Sequence, residues 1–163
     1  MPSHFKGNRE TVRALSAFIN FMRASDSLTA RLSARLEPYG LTTGQFGVLE
    51  TLLHLGPMCQ HAIAAKLLRS GGNTTLVIDN LEKHGWVKRI RKEDDRRMVM
   101  VHLTPAGERL ISRVFAEHAK ALVEEMSWIT PGEQDALRRI CRKLGRAGNR
   151  SKKEKEHVAS KSE

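Results

Sequence analysis

What the chain lacks narrows its function first. Its 163 residues contain no apolar run approaching the ~20 that a membrane-spanning helix needs. The opening Met1-Pro2-Ser3-His4-Phe5-Lys6-Gly7 has no apolar stretch followed by small residues, so it does not read as a secretory signal. Together these predict a soluble, cytoplasmic protein with no membrane partner. Cysteine is scarce. Cys59 and Cys141 lie 82 positions apart without metal-type spacing, and an intracellular chain of this size needs no disulfide staple. Reduced thiols and no metal site are expected. There is no His-Glu-x-x-His, no Gly-rich phosphate loop, no Gly-x-Ser-x-Gly and no paired-Cys motif. That argues against an enzyme and gives no sign of a cofactor.

Charge is abundant and uneven. The 28 basic and 18 acidic residues leave a net +10, which invites a nucleic-acid partner. Residues 138–163 carry ten basic and three acidic side chains, residues 58–104 nine and five, and residues 105–137 three and six. Much of the excess is therefore tail. From Ser151 onward there is almost no apolar content to offset ordering entropy, so 151–163 is predicted to be a disordered basic tail. Such a tail alone suits a non-specific architectural DNA binder, an alternative that a scrambled duplex would expose. The charge in the middle segment has to be argued from its arrangement.

Periodicity supplies that arrangement. Leu15, Phe18, Ile19, Met22, Leu28, Leu32 and Leu36 recur at threes and fours, predicting one long helix over Thr11–Leu36. Pro38 and Gly40 end it. Thr42 with Gln45 forms a capping box for a second helix to about Leu55. After Gly56-Pro57 a short third helix is predicted from Gln60 to Leu68. A fourth follows from Gly72 to His84, capped by Ser70, burying Thr74, Val77, Ile78 and Leu81 and stopping at Gly85. The period then changes to two: Val99, Val101 and Leu103 alternate with Met100 and His102, and Val87–Arg91 should pair with them around a polar tip, Lys92–Arg97. Thr104-Pro105 and Thr130-Pro131-Gly132-Glu133 then open two further helices with apolar stripes.

Two short helices joined by a tight turn and followed by a basic hairpin make a winged helix-turn-helix. Ile63-Ala64-Ala65-Lys66-Leu67, the stretch from Asn73 to Val87, the tip Asp95-Arg96-Arg97 and Val101-His102-Leu103-Thr104-Pro105-Ala106-Gly107 resemble the MarR family of bacterial transcriptional regulators. The resemblance covers about residues 10–148, and the ordered set, above all Asp-Arg-Arg followed by Leu-Thr-x-x-Gly, carries it. It implies a mainly α fold with a small β-hairpin wing. It also implies one domain over 1–150, with dimerisation helices at 10–37 and 105–148 and the winged part at 41–104. The implied function is a homodimer that binds a pseudo-palindromic DNA operator and is released by a small-molecule or redox signal, and a repressor is expected. Independently, the first and last helices carry more apolar surface than a small winged domain covers, so either a partner copy or the helices themselves must bury it.

The DNA-facing set on the fourth helix is Ser70, Gly72, Asn73, Thr74, Thr75, Leu76 and Asn80, short groups suited to phosphates and base edges. Many family members have a long basic side chain where this protein has Leu76, and contact with a thymine methyl is one substitute. On the hairpin, the resemblance has Asp95 hold Arg97 for a minor groove, with Lys88, Arg91, Lys92 and Arg96 as phosphate contacts. A solvated tip charge is the plain alternative. For the effector, the family's pocket position suggests Phe18, Met22, Asp26, His54, Met58 and His61, although Phe18 and Met22 read equally well as core. Cys59, two positions from His61, is a candidate thiol sensor because an adjacent cation lowers a thiol pKa.

Overall fold

The computed structural model describes residues 5–67, 71–91 and 98–159. Helix α1 spans Arg9–Ala34, starting where the Asn8 side chain accepts the Thr11 N–H at 2.7 Å. A 3₁₀ turn at Glu37–Tyr39 closes on Gly40, whose φ of 66° favours glycine. Helix α2 (Thr43–Leu55) opens on the expected capping box: Thr42 Oγ1 accepts from the Gln45 N–H at 3.2 Å, and Gln45 Oε1 accepts from the Thr42 N–H at 2.8 Å. Helices α3 (Gln60–Lys66) and α4 (Gly71–Lys83) form the expected pair. The predicted Ser70 cap lies outside the described residues.

Strands β2 (Val87–Arg91) and β3 (Val99–Leu103) pair antiparallel, with Val87 opposite Leu103 and Arg91 opposite Val99. The sequence predicts this hairpin but not a third strand. Met58–Cys59 (β1) pairs with the other edge of β3, giving the order β1-β3-β2. Two residues are too few to show an alternating pattern, and only the proximity of Val101 reveals the strand. The sheet thus ties the entry of α3 to the wing.

The core gathers Leu36 and Leu41, Phe46, Val48, Leu49 and Leu52 of α2, Ile63 of α3, Ile78 and Leu81 of α4, Val87 and Val101 of the sheet, and Ile111 and Val114 of α5 (Pro105–Met126). Each such side chain contributes roughly 1.5–3 kcal/mol by leaving water. The start of α5 is fixed by direct backbone contact. Thr104 donates its N–H to the Trp86 carbonyl at 3.0 Å and its hydroxyl to the Gly85 carbonyl at 2.6 Å, while its Oγ1 accepts the Gly107 N–H at 3.1 Å. A Cβ on Gly107 would sit 1.9 Å from the Trp86 carbonyl oxygen. The Leu-Thr-x-x-Gly segment is therefore a docking joint, with threonine as clasp and glycine as clearance.

Helix α6 (Pro131–Ala159) opens on the predicted Thr130/Glu133 box, in which the Glu133 carboxylate accepts from the Thr130 N–H at 2.8 Å. That bond, then the one from the Thr130 hydroxyl, holds the Glu133 carboxyl below its ordinary pKa. The backbone stays helical through Ala159, where composition predicts disorder from Ser151. Lysine and glutamate are good helix formers, so local propensity accounts for the difference. By internal contacts the chain divides into two compact units, Met1–Leu122 and Val123–Glu163, and the division falls within the 105–148 segment assigned to dimerisation. Among the described residues, no helix is long and apolar enough to cross a membrane. Both cysteines are free, and no cluster of metal-ligating side chains occurs among the described residues.

Candidate nucleic-acid interface

Helix α4 has two unlike faces. Ile78 and Leu81 are fully buried and Val77 half-buried, which fixes the rotation of the helix. On the far side Gly72, Asn73 and Leu76 are exposed and Asn80 is half-exposed, as the sequence predicts. Of the two places the sequence pattern gives Thr74, the buried stripe and the DNA-facing set, the structure takes the first, so Thr74 leaves that set. It is 1% exposed, because it lies one turn before Ile78 on the core stripe, so its hydroxyl does not reach the outer face. Thr75 is half-buried, and its hydroxyl accepts a hydrogen bond from the Gln60 side chain of α3, which ties the two helices together.

Arg89 braces α4 against the sheet, a role the sequence reading missed. From β2 its guanidinium reaches Asp79 and Glu82 on α4, and its own N–H donates to Glu82 Oε1 at 3.0 Å. Burial disfavours the charge, but hydrogen bonds to Asp79 and then Glu82 outweigh it and raise the guanidinium pKa above its ordinary value. The brace also neutralises the only two carboxylates of α4, which would otherwise repel phosphate. Two acids three apart on a helix, followed by an arginine on the next strand, was the available signal. Lys88 and Arg91 are exposed on β2, where phosphate contacts are expected. Lys92, Asp95, Arg96 and Arg97, like Ser70, lie outside the described residues.

A cavity of about 290 Å³ lies where α1, α2 and α5 meet, lined by Thr29, Leu32, Ser33, Leu36, Thr43, Gly44, Phe46, Gly47, Glu50, Leu67 and His118. None of the six residues proposed from sequence lines it. Phe18, Met22 and Asp26 are exposed on α1, one to three turns before Thr29. His54 packs edge-on against Phe115 at 4.5 Å, Met58 packs on the core from β1, and His61 is exposed on α3. His118 is the polar group that the sequence reading overlooked. Its ring packs against Phe46 at 4.4 Å with the planes tilted by 41°, and among the described residues its buried Nδ1 has no hydrogen-bond partner. Burial, only partly opposed by the Glu50 charge, pushes its pKa down, so the ring is neutral at pH 7. A smaller cavity of about 70 Å³ also touches His118, beside Tyr39 and Glu117. The Tyr39 hydroxyl donates to Glu117, which raises the tyrosine pKa, and Arg113 lies 5.3 Å over the Tyr39 ring.

Comparison with known proteins agrees with this architecture. The MarR family model matches residues 41–99, the span from just before α2 to the first residue of β3. The HTH-type transcriptional regulator YkoM of Bacillus subtilis is 33% identical over 136 residues, covering 83% of this chain and 88% of YkoM. Among solved structures, AbsC of Streptomyces coelicolor, a MarR family transcriptional regulator, superposes with a TM-score of 0.79 at 20% identity, covering 89% of this chain and 99% of AbsC. Sco3205 of the same organism, a MarR family regulator solved in complex with DNA, gives 0.78 at 20% identity over 89% of this chain and 92% of its own. With this fold and these relatives, the chain is no enzyme: it belongs to the MarR family of transcriptional regulators.

Proposed function

We propose that this protein is a cytoplasmic repressor that binds a pseudo-palindromic operator as a homodimer and is released by a small-molecule effector. The observation that carries the DNA reading is the outward face of α4. It is small and polar around one leucine, lies opposite a fully buried stripe and is cleared of free carboxylate by Arg89. The wing residues Asp95 and Arg97 fit a minor-groove contact, with Lys88, Arg91, Lys92 and Arg96 on flanking phosphates.

Exposed apolar surface supports the dimer. Phe18, Phe21 and Met22 of α1 stand in solvent, and in the second unit Val123 is 71% and Trp128 87% exposed, beside Leu137, Ile140 and Leu144 of α6. A two-fold partner would bury such surface. The cavity around His118 supports an effector: it is mostly apolar with a few polar groups, the usual make-up of a small-molecule site. The free thiol of Cys59 offers no comparable arrangement.

A gel-shift titration on a palindrome and on its scrambled counterpart, paired with light scattering, tests the proposal. The expected result is a dimer that prefers half-site centres about 10 base pairs apart. Arg97→Ala should weaken binding by about 1–3 kcal/mol, and Asn73→Ala should relax base discrimination. A monomer with full affinity for one half-site overturns it. Equal affinity for both duplexes would instead favour architectural binding through the basic tail.

A further inference from the structure

Leu76 is 62% exposed, and among the described residues it is the only large apolar side chain that α4 leaves in solvent. Its position is not marginal. With Thr74, Ile78 and Leu81 buried, a rotation of 100° per residue puts Leu76 almost diametrically opposite the core stripe. Asn73 and Asn80 flank it one turn either way, and Gly72 leaves open space beside it, with no atom within 4 Å of a built Cβ. Thr75 is engaged by Gln60, while Asp79 and Glu82 are held by Arg89, so the side chains next in line are turned to structural work. The most outward point of the helix is thus apolar and its surroundings polar.

The major-groove edge of the four standard base pairs offers one apolar group, the thymine C5-methyl. We propose that Leu76 is a specificity-determining residue that reads a thymine methyl in each half-site, with Asn73 and Asn80 hydrogen-bonding on either side. This inference rests on the operator-binding reading above. The half-site therefore contains an A·T pair whose thymine is selected by its methyl, and uracil at that position lacks what Leu76 recognises.

The test starts from a randomised duplex library enriched on the full-length protein. From the enriched sequence, duplexes are made in which each thymine of the half-site is replaced in turn by deoxyuridine, which removes only the methyl. One position should weaken binding about fourfold per half-site, the transfer free energy of one buried carbon, and about fifteenfold when both half-sites are changed. Leu76→Ala should bind the thymine duplex more weakly and show no difference between thymine and uracil there, while Leu76→Met retains the difference. Because the side chain is exposed, the alanine variant keeps its fold, checked by an unchanged thermal midpoint. The inference is overturned if no position responds to uracil, if Leu76→Ala responds as the wild type does, or if that variant loses only self-association. Failure of the library to enrich any sequence would instead sink the operator reading itself.

Discussion

Gly107→Ala sets two known effects against each other, and the structure decides the sign. Alanine in a helix interior is ordinarily better than glycine by about 0.8–1 kcal/mol, and by less in a first turn, where Gly107 lies. At Gly107 the added carbon would meet the Trp86 carbonyl oxygen at 1.9 Å, its carbon at 2.8 Å and its Cα at 3.0 Å, all backbone atoms that cannot swing aside. Relief requires α5 to retreat by on the order of 1 Å, enough to break the 3.0 Å bond from Thr104 to the Trp86 carbonyl and the 2.6 Å bond to the Gly85 carbonyl. Overpacking costs about 1–3 kcal/mol and each lost hydrogen bond a net 0.5–1.5 kcal/mol. The balance is a destabilisation of about 2–4 kcal/mol, or a fall in Tm of roughly 5–15 °C. Gly145 of α6 has no atom within 4 Å of a built Cβ, so Gly145→Ala should raise stability by up to about 1 kcal/mol. Urea titration of both variants is the assay. A Gly107→Ala protein as stable as the wild type would refute the docking-joint argument.

Arg89→Met keeps the aliphatic stem and removes the brace; with Arg89 a quarter exposed and both partners about two-fifths exposed, it should cost about 1 kcal/mol, and a double-mutant cycle with Glu82→Gln should show coupling above roughly 0.5 kcal/mol. Additive effects would mean that the contact is idle. His118 has a folded pKa below the unfolded 6.5, so the native state resists its protonation. Stability should be full above about pH 6.5, fall as pH drops below that value, and level off below the folded pKa. His118→Gln should flatten that part of the urea midpoint against pH, and an unchanged slope would remove His118 as the cause. Truncation after Arg150 removes Lys152, Lys153, Lys155 and Lys161 and should lower the salt slope of DNA binding by at most about 3–4 units, leaving operator choice intact. Loss of operator preference or of the dimer would make the segment a required part of the regulator rather than an accessory arm.

Helix existence and ends were legible where chemistry is local. Thr42 with Gln45, Thr104 before Pro105, and Thr130 with Glu133 each mark a helix start, and each makes the bond expected of it. The face of α4 was legible because four apolar or small positions share one stripe. What depends on distance through space was not. His118 enters its cavity from the fourth turn of α5, far in sequence from Glu50 and Thr29, and no periodicity links them. The α1 residues named for an effector do not reach this cavity, because a pattern fixes which side of a helix faces inward but not which turn meets another element. The same holds for β1, whose identity as a strand resides in its neighbour.

That two-rung strand has a consequence for the order in which the fold assembles. β2 and β3 are joined by a short connection, so their pairing closes a small loop and can form early, on the microsecond scale typical of hairpins. Met58 meets Val101 only after α3, α4 and the hairpin have been gathered between them. Such a long-range contact is entropically late and adds little until its surroundings are built. Weakening Met58 should therefore quicken unfolding while leaving the folding rate nearly untouched. On this reasoning the hairpin should close early, and the seam between β1 and β3 should close late and open early.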